Sequence, residues 1–238
     1  MNENIKETIK AFKVDLDSSK NQIMLKPIAR SFNNQAHQIN EAAEKIHELI
    51  KNAPYSNDNI ILNHNRIKEA FFSPFKPQLK NAQVFLSHSH ADINKALEVK
   101  NYLENQIKRK VFIDSLFWDY KDDVLNKLAK YDDISRIEDA FTLILRESLE
   151  YMIKKCPYFV FLQSSNSVSN QWLSRNQDLL KITYSAWIYE ELRIAHSISS
   201  KSRLTIMMES FQVSHDISPF LEHLETITLR KLSHIINS

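Results

Sequence analysis

Two hundred and thirty-eight residues without one glycine, where average usage would supply roughly seventeen, exclude every motif built on a glycine-rich phosphate loop: the Rossmann fingerprint, the P-loop and the kinase loop. Hydrophobic residues at 43%, charged residues at 25% and a formal net charge of +2 describe a folded globular chain without the strongly basic balance of a nucleic-acid binder. The one cysteine, Cys156, permits no internal disulfide, and with no apolar signal core and no run near eighteen apolar residues, a cytoplasmic protein away from membranes is expected.

Without glycine, left-handed turn positions are expected to fall to Asn and Asp, which tolerate them next best. Residues 1–81 read as helical, with no strand of convincing alternation. From Leu25, apolar residues fall at Ile28, Phe32, Ala36, Ile39, Ala42 or Ala43, Ile46 and Leu49 or Ile50. That three-and-four spacing predicts a long helix, stopped at Ala53-Pro54. Its stripe suits either a core face of its own domain or a face for a partner helix. A second helix is predicted from Ile60 to Phe72. The segment Ser73-Pro74-Phe75-Lys76-Pro77 then holds two prolines in four residues and marks a boundary between a helical N-terminal region, 1–77, and a second domain, 78–238.

Beyond Pro77 short apolar runs alternate with amphipathic helices. Strands are predicted at Val84-Phe85-Leu86, Val111-Phe112-Ile113, Tyr158–Leu162, Leu204–Met208 and Thr226–Leu229, with helices from about Asp92 to Ile107, Ile137 to Ile153 and Tyr184 to Ser197. The alternation predicts an α/β domain of flavodoxin-like type, a five-stranded parallel sheet covered on both faces, whose ligands lie beyond the carboxyl ends of the strands.

The first of these strands runs into Ser87-His88-Ser89-His90-Ala91-Asp92. Two imidazoles and a carboxylate have the chemistry to hold zinc, and His88-x-His90-x-Asp92 resembles the opening of the metallo-β-lactamase metal motif. That motif continues with a further His, where Ile93 stands, and the remaining histidines form no second cluster. The simpler reading places the two His residues in a loop and Asp92 at the start of the next helix, with no metal.

A second resemblance runs through the chain. Val84-Phe85-Leu86-Ser87-His88-Ser89-x-x-Asp92, Val111-Phe112-Ile113-Asp114, Phe159-Val160-Phe161-Leu162 and Ser185-x-Trp187-x-x-x-Glu191-Leu192 stand in the order found in TIR (Toll/interleukin-1 receptor) domains, and the match covers about residues 82–235. Two features depart from that pattern. The segment from Ser115 to Asp139 is long and lacks the Gly or Pro common in the family's equivalent loop. A further insertion precedes the Trp helix and carries a decoy, Ser169-x-x-Trp172, whose fourth following residue is Asn176 instead of Glu.

The resemblance implies an NAD+ glycohydrolase or cyclase of the bacterial type, with Glu191 as the catalytic carboxylate. Ser87, His88, Ser89, Asp114 and Trp187 would face the nucleotide, and NAD+ would be substrate, with no separate cofactor. Glu190 competes with Glu191 if the helix register shifts. Phe117 and Trp118 have flat rings suited to stacking, or to burial against the insertion. The resemblance further implies self-association through the TIR domain, to which the N-terminal helices would add, and a role in anti-phage defence, with a phage-derived trigger and a downstream nucleotide-sensing effector. A non-catalytic TIR adaptor, acting through self-association, is the alternative.

Overall fold

The computed structural model describes residues 9–25, 36–53, 55–56, 59–60, 63–72, 81–113, 115–130, 135–172, 179–199 and 214–238. In chain order the elements are β1 (Lys10–Asp15), α1 (Ser19–Gln22), α2 (Ala36–Lys51), β2 (Tyr55–Ser56), β3 (Asn59–Ile60), α3 (His64–Phe72), β4 (Val84–Ser87), a 3-10 turn (His90–Asp92), α4 (Ile93–Gln106), β5 (Val111–Ile113), α5 (Ser115–Leu128), α6 (Ser135–Lys155), β6 (Tyr158–Gln163), β7 (Ser169–Trp172), β8 (Leu179–Thr183), α7 (Ala186–Ser199), β9 (His215–Asp216), α8 (Ser218–Glu222), β10 (Glu225–Thr226) and α9 (Leu229–Asn237). Among the described residues no helix is long and apolar enough to cross a membrane.

The chain forms two compact units, neither continuous in sequence. One comprises Met1–Ala29, Ala82–Asp114 and Glu150–Ser238; the other comprises Arg30–Asn81 and Ser115–Leu149. The expected division at 77/78 is therefore corrected. The first residues of the chain belong with the α/β part, and the Ser115–Leu149 stretch belongs with the helical part. The boundary segment Ser73–Pro77 itself lies outside the described residues.

The α/β unit holds a five-stranded sheet in the order β10-β1-β6-β4-β5, parallel throughout. Val84, Phe85, Leu86 and Ser87 of β4 are all buried, as a central parallel strand requires. Phe85 pairs in register with Phe112 on one side and Phe159 on the other. Both neighbouring rings stack on it, with centroids 5.8 Å apart. A row of three phenylalanines thus fixes the register of the middle strands through cross-strand packing. In α4, Ala96, Val99 and Leu103 form the buried stripe, and the helix packs against β5.

Read from β5, this is the flavodoxin-like order with one exchange. The fourth position, between β6 and β10, is filled by β1 from the start of the chain. Residues 1–81 read as helical, so β1 is a correction. Phe12, Val14 and Leu16 are buried, in the period-two spacing of a strand. Lys13 between them hides the signal, because central strands usually read as unbroken apolar runs. Its aliphatic stem lies half-buried, and its Nζ donates to the Leu221 carbonyl at 2.7 Å. The predicted strand Leu204–Met208 lies outside the described residues. The strand predicted at Thr226–Leu229 is shorter, Glu225–Thr226, and Leu229 already opens α9 behind a Thr228 cap. Strands β7, β8 and β9 form a separate antiparallel sheet, and the decoy Ser169–Trp172 is its edge strand.

The second unit is helical. Ala42, Ala43, Ile46 and Ile50 of α2 are buried, and α2 packs against α3 and α5. The predicted stripe is therefore a core face of its own unit over this stretch. Phe71 meets Phe141 edge to face at 5.6 Å. Glu147 accepts from Lys68 Nζ at 3.0 Å and lies 3.1 Å from His64 Nε2. The second helix prediction, Ile60 to Phe72, is shortened, since Tyr55–Ser56 of β2 pairs with Asn59–Ile60 of β3 and α3 starts only at His64.

Candidate functional site

The sheet order places a topological switch point between β4 and β6, because the chain leaves β4 toward β5 and returns on its other side. Ligands of open α/β sheets sit beyond the strand ends at such a point. Ser87 closes β4 with its side chain fully buried, and its Oγ has no hydrogen-bond partner among the described residues. His88 follows, 3% exposed, then Ser89, half-buried, and His90, exposed. The three expected loop residues Ser87, His88 and Ser89 thus stand together at the end of β4.

Asp92 ends the 3-10 turn and stands at the cap position of α4, yet its side chain makes no capping bond there. Its carboxylate turns to the loop after β6 instead: Oδ2 accepts from the Ser164 hydroxyl and Oδ1 from Asn166 Nδ2 at 2.9 Å. Ser164 also accepts the Asn166 N–H at 3.0 Å, while its own N–H goes to Ser167 Oγ at 2.8 Å. From the other side, Asp17, two residues past β1, accepts the Ser165 N–H at 2.9 Å and pairs with Lys95 of α4 at 3.2 Å. A closed circuit therefore joins the carboxyl ends of β4, β6 and β1. Asp17, Lys95, Ser164 and Asn166 carry no site signal in the sequence. The run Ser164-Ser165-Asn166-Ser167 carries a turn signal, but its carboxylate partners are remote in sequence. His88, His90 and Asp92 do not form a metal-ligating group, and the described residues contain no cluster of three or more His, Cys, Asp or Glu placed to hold a metal.

The second set of expected residues lies on α7, which packs against β1, β8 and α8. Trp187 is half-buried. Ile188, Leu192 and Ala195 are buried, and Glu191 is fully buried with them. Helical spacing puts Ile188, Leu192 and Ala195 on a face adjacent to Glu191 and would leave Glu191 near the rim, beside the strand ends; its full burial corrects that expectation. Glu190, the competing carboxylate, forms a forked pair with Arg193, at 2.7 Å to Nε and 2.6 Å to Nη2. That hydrogen bond raises the Arg193 pKa, and it identifies Glu190 as a structural ion-pair partner. An aromatic ladder flanks the same helix: Tyr189 stacks on His215 at 4.8 Å, Phe220 lies 5.5 Å from both Tyr189 and His196, and His196 meets His223 at 4.6 Å. Burial, then the neighbouring His223, lowers the His196 pKa.

Asp114 and Asn176 lie outside the described residues, as do the side chains of Phe117 and Trp118. Burial pushes the Cys156 thiol up to about 12, which keeps it protonated and unreactive at neutral pH. In the helical unit an open groove of about 900 Å³ runs beside α2 and α3, with Glu41, Glu44, Glu48 and Glu69 among its lining residues. No candidate residue lines it. No family model, no curated protein and no solved structure matches the chain.

Proposed function

We propose that the chain is a TIR-type NAD+ glycohydrolase or cyclase with Glu191 as its catalytic carboxylate. The observation that carries this reading is the position of Glu191, a carboxylate at 0% exposure on the face of α7 turned inward in a flavodoxin-like unit. A carboxylate withdrawn from water is costly, and such groups concentrate where chemistry needs them. The neighbouring Glu190 is held in a forked ion pair by Arg193, a structural role distinct from the one assigned to Glu191.

The chemistry asks little of the protein beyond one charge. The bond between ribose C1′ and the nicotinamide nitrogen breaks, and its electron pair neutralises the pyridinium, so the leaving group departs without a proton. The ribose is left as an oxocarbenium-like cation, which a fixed carboxylate stabilises. Water then adds through its oxygen and loses a proton, giving ADP-ribose, or a nucleophile of the same molecule closes a ring. Ser87, His88 and Ser89 would line the nucleotide side at the switch point. Incubating the full chain with NAD+ and separating the products by chromatography tests the reading. Nicotinamide should appear with ADP-ribose or a cyclic isomer. Intact NAD+, together with no NAD+ binding by calorimetry, would favour the adaptor alternative.

A further inference from the structure

We propose that Asp92 is a positioning residue of the candidate site, holding the loop after β6 at a set distance from the loop after β4. The inference rests on the NAD+-cleaving reading for its substrate, and on the hydrogen-bond geometry for everything else. Asp92 is 2% exposed, and a carboxylate so placed is tolerated only when its oxygens are engaged. Neither oxygen caps α4. One is taken by the Ser164 hydroxyl and the other by the Asn166 amide at 2.9 Å. Both donors belong to the loop on the far side of the switch point.

The loop is held from two sides, by Asp17 at the end of β1 through the Ser165 N–H and by Asp92 from the β4 side. Its internal bonds, Ser164 N–H to Ser167 Oγ and Asn166 N–H to Ser164 Oγ, close it upon itself, and Asp92 supplies the side-chain link from it to the loop after β4. Charge-assisted bonds are the strong and directional kind. A nucleotide at the switch point has the Ser87–Ser89 segment as one wall and the Ser164–Asn166 segment as the other. Asp92 sets the gap between the walls without touching the ligand.

The test uses three variants of the full chain: Asp92→Asn, Asn166→Ala and the double exchange Asp92→Asn with Asn166→Asp. Asn166 is exposed, so its truncation spares the fold. The double exchange restores the contact with donor and acceptor reversed. The KM for NAD+ should rise at least about tenfold in both single variants while kcat stays within about threefold, because ground-state fit is lost and the reacting group is not. The double exchange should recover most of the loss, as directly coupled residues do. A merely structural role would lower the folded fraction, and with it the apparent kcat, and would leave KM alone. That result, or a double exchange no better than Asp92→Asn, overturns the proposal. Hydrogen exchange at the Asn166 and Ser167 amides is the second readout and needs no turnover. Faster exchange in Asp92→Asn, reversed by the double exchange, supports the positioning role, and unchanged exchange overturns it. Wild-type protein that leaves NAD+ intact counts against the NAD+-cleaving reading alone, and the exchange data then decide the role of Asp92.

Discussion

Asp17 accepts the backbone N–H of Ser165 at 2.9 Å across 148 residues of sequence, tying the end of the first strand to the loop beside the switch point. The Ser165 N–H, and after it Lys95, hold the Asp17 carboxyl below its ordinary pKa. A depressed carboxylate pKa contributes stability that is present above the unfolded value, about 3.9, and is lost as pH falls through the folded value. Asp17→Asn removes that dependence. Denaturant midpoints measured from pH 6 downward should therefore converge for wild type and Asp17→Asn in acid, with wild type ahead at neutral pH. Parallel profiles would show that Asp17 is not coupled to folding.

Glu191 and Glu190 should separate cleanly. Glu191→Gln removes charge with little change of shape, and is expected to abolish NAD+ consumption while the chain stays folded. Glu190→Gln breaks the Arg193 fork, whose side chains are 11% and 12% exposed, and should cost about 1–3 kcal/mol of stability while turnover per folded molecule is retained. Urea titration and turnover corrected for folded fraction check both. Activity lost at 190 and kept at 191 would overturn the assignment.

A chain starting at Gln78 should not fold. It lacks β1, a six-residue strand paired on both sides, to β6 and β10. It also lacks Asn21, which is 2% exposed, donates to the Asp15 carbonyl at 2.7 Å and accepts the Leu229 N–H at 2.9 Å. Removing a central strand exposes ladder groups and apolar faces on both neighbours. Circular dichroism and solubility of the truncated chain provide the check. A folded, monomeric product would mean that another segment can fill the fourth position of the sheet.

Lys108 has φ 59° and is the one described residue with a positive φ. It stands after α4, where Arg109 N–H returns to the Leu103 carbonyl at 3.3 Å. Such positions are expected at Asn and Asp in a chain without glycine, and here the helix end imposes the conformation on a lysine. Lys108→Gly should be neutral or stabilising by up to about 1 kcal/mol, and Lys108→Val should be destabilising by about 1–2 kcal/mol. Thermal melts of the two variants decide the matter. Equal stability would mean the turn carries no strain.

The sequence by itself determined the local grammar of the α/β unit. Unbroken apolar runs at Val84–Leu86, Val111–Ile113 and Tyr158–Leu162 form buried parallel strands, and the facing of α7, with Ile188, Leu192 and Ala195 inward, followed from helical periodicity. What only the tertiary structure decided was partnership. Lys10–Asp15 is interrupted by Lys13 and does not announce itself, and it becomes an inner strand because β6 and β10 supply hydrogen bonds on both edges and Leu221 receives the lysine. The long segment after β5 reads as a loop insertion and is helical because α2 offers α5 an apolar face. Asp92 looks like a helix cap and serves another loop, because Ser164 and Asn166, remote in sequence, arrive within hydrogen-bond distance. Periodicity records which side of an element is buried; the identity of what buries it depends on contacts between distant residues, which no local pattern encodes.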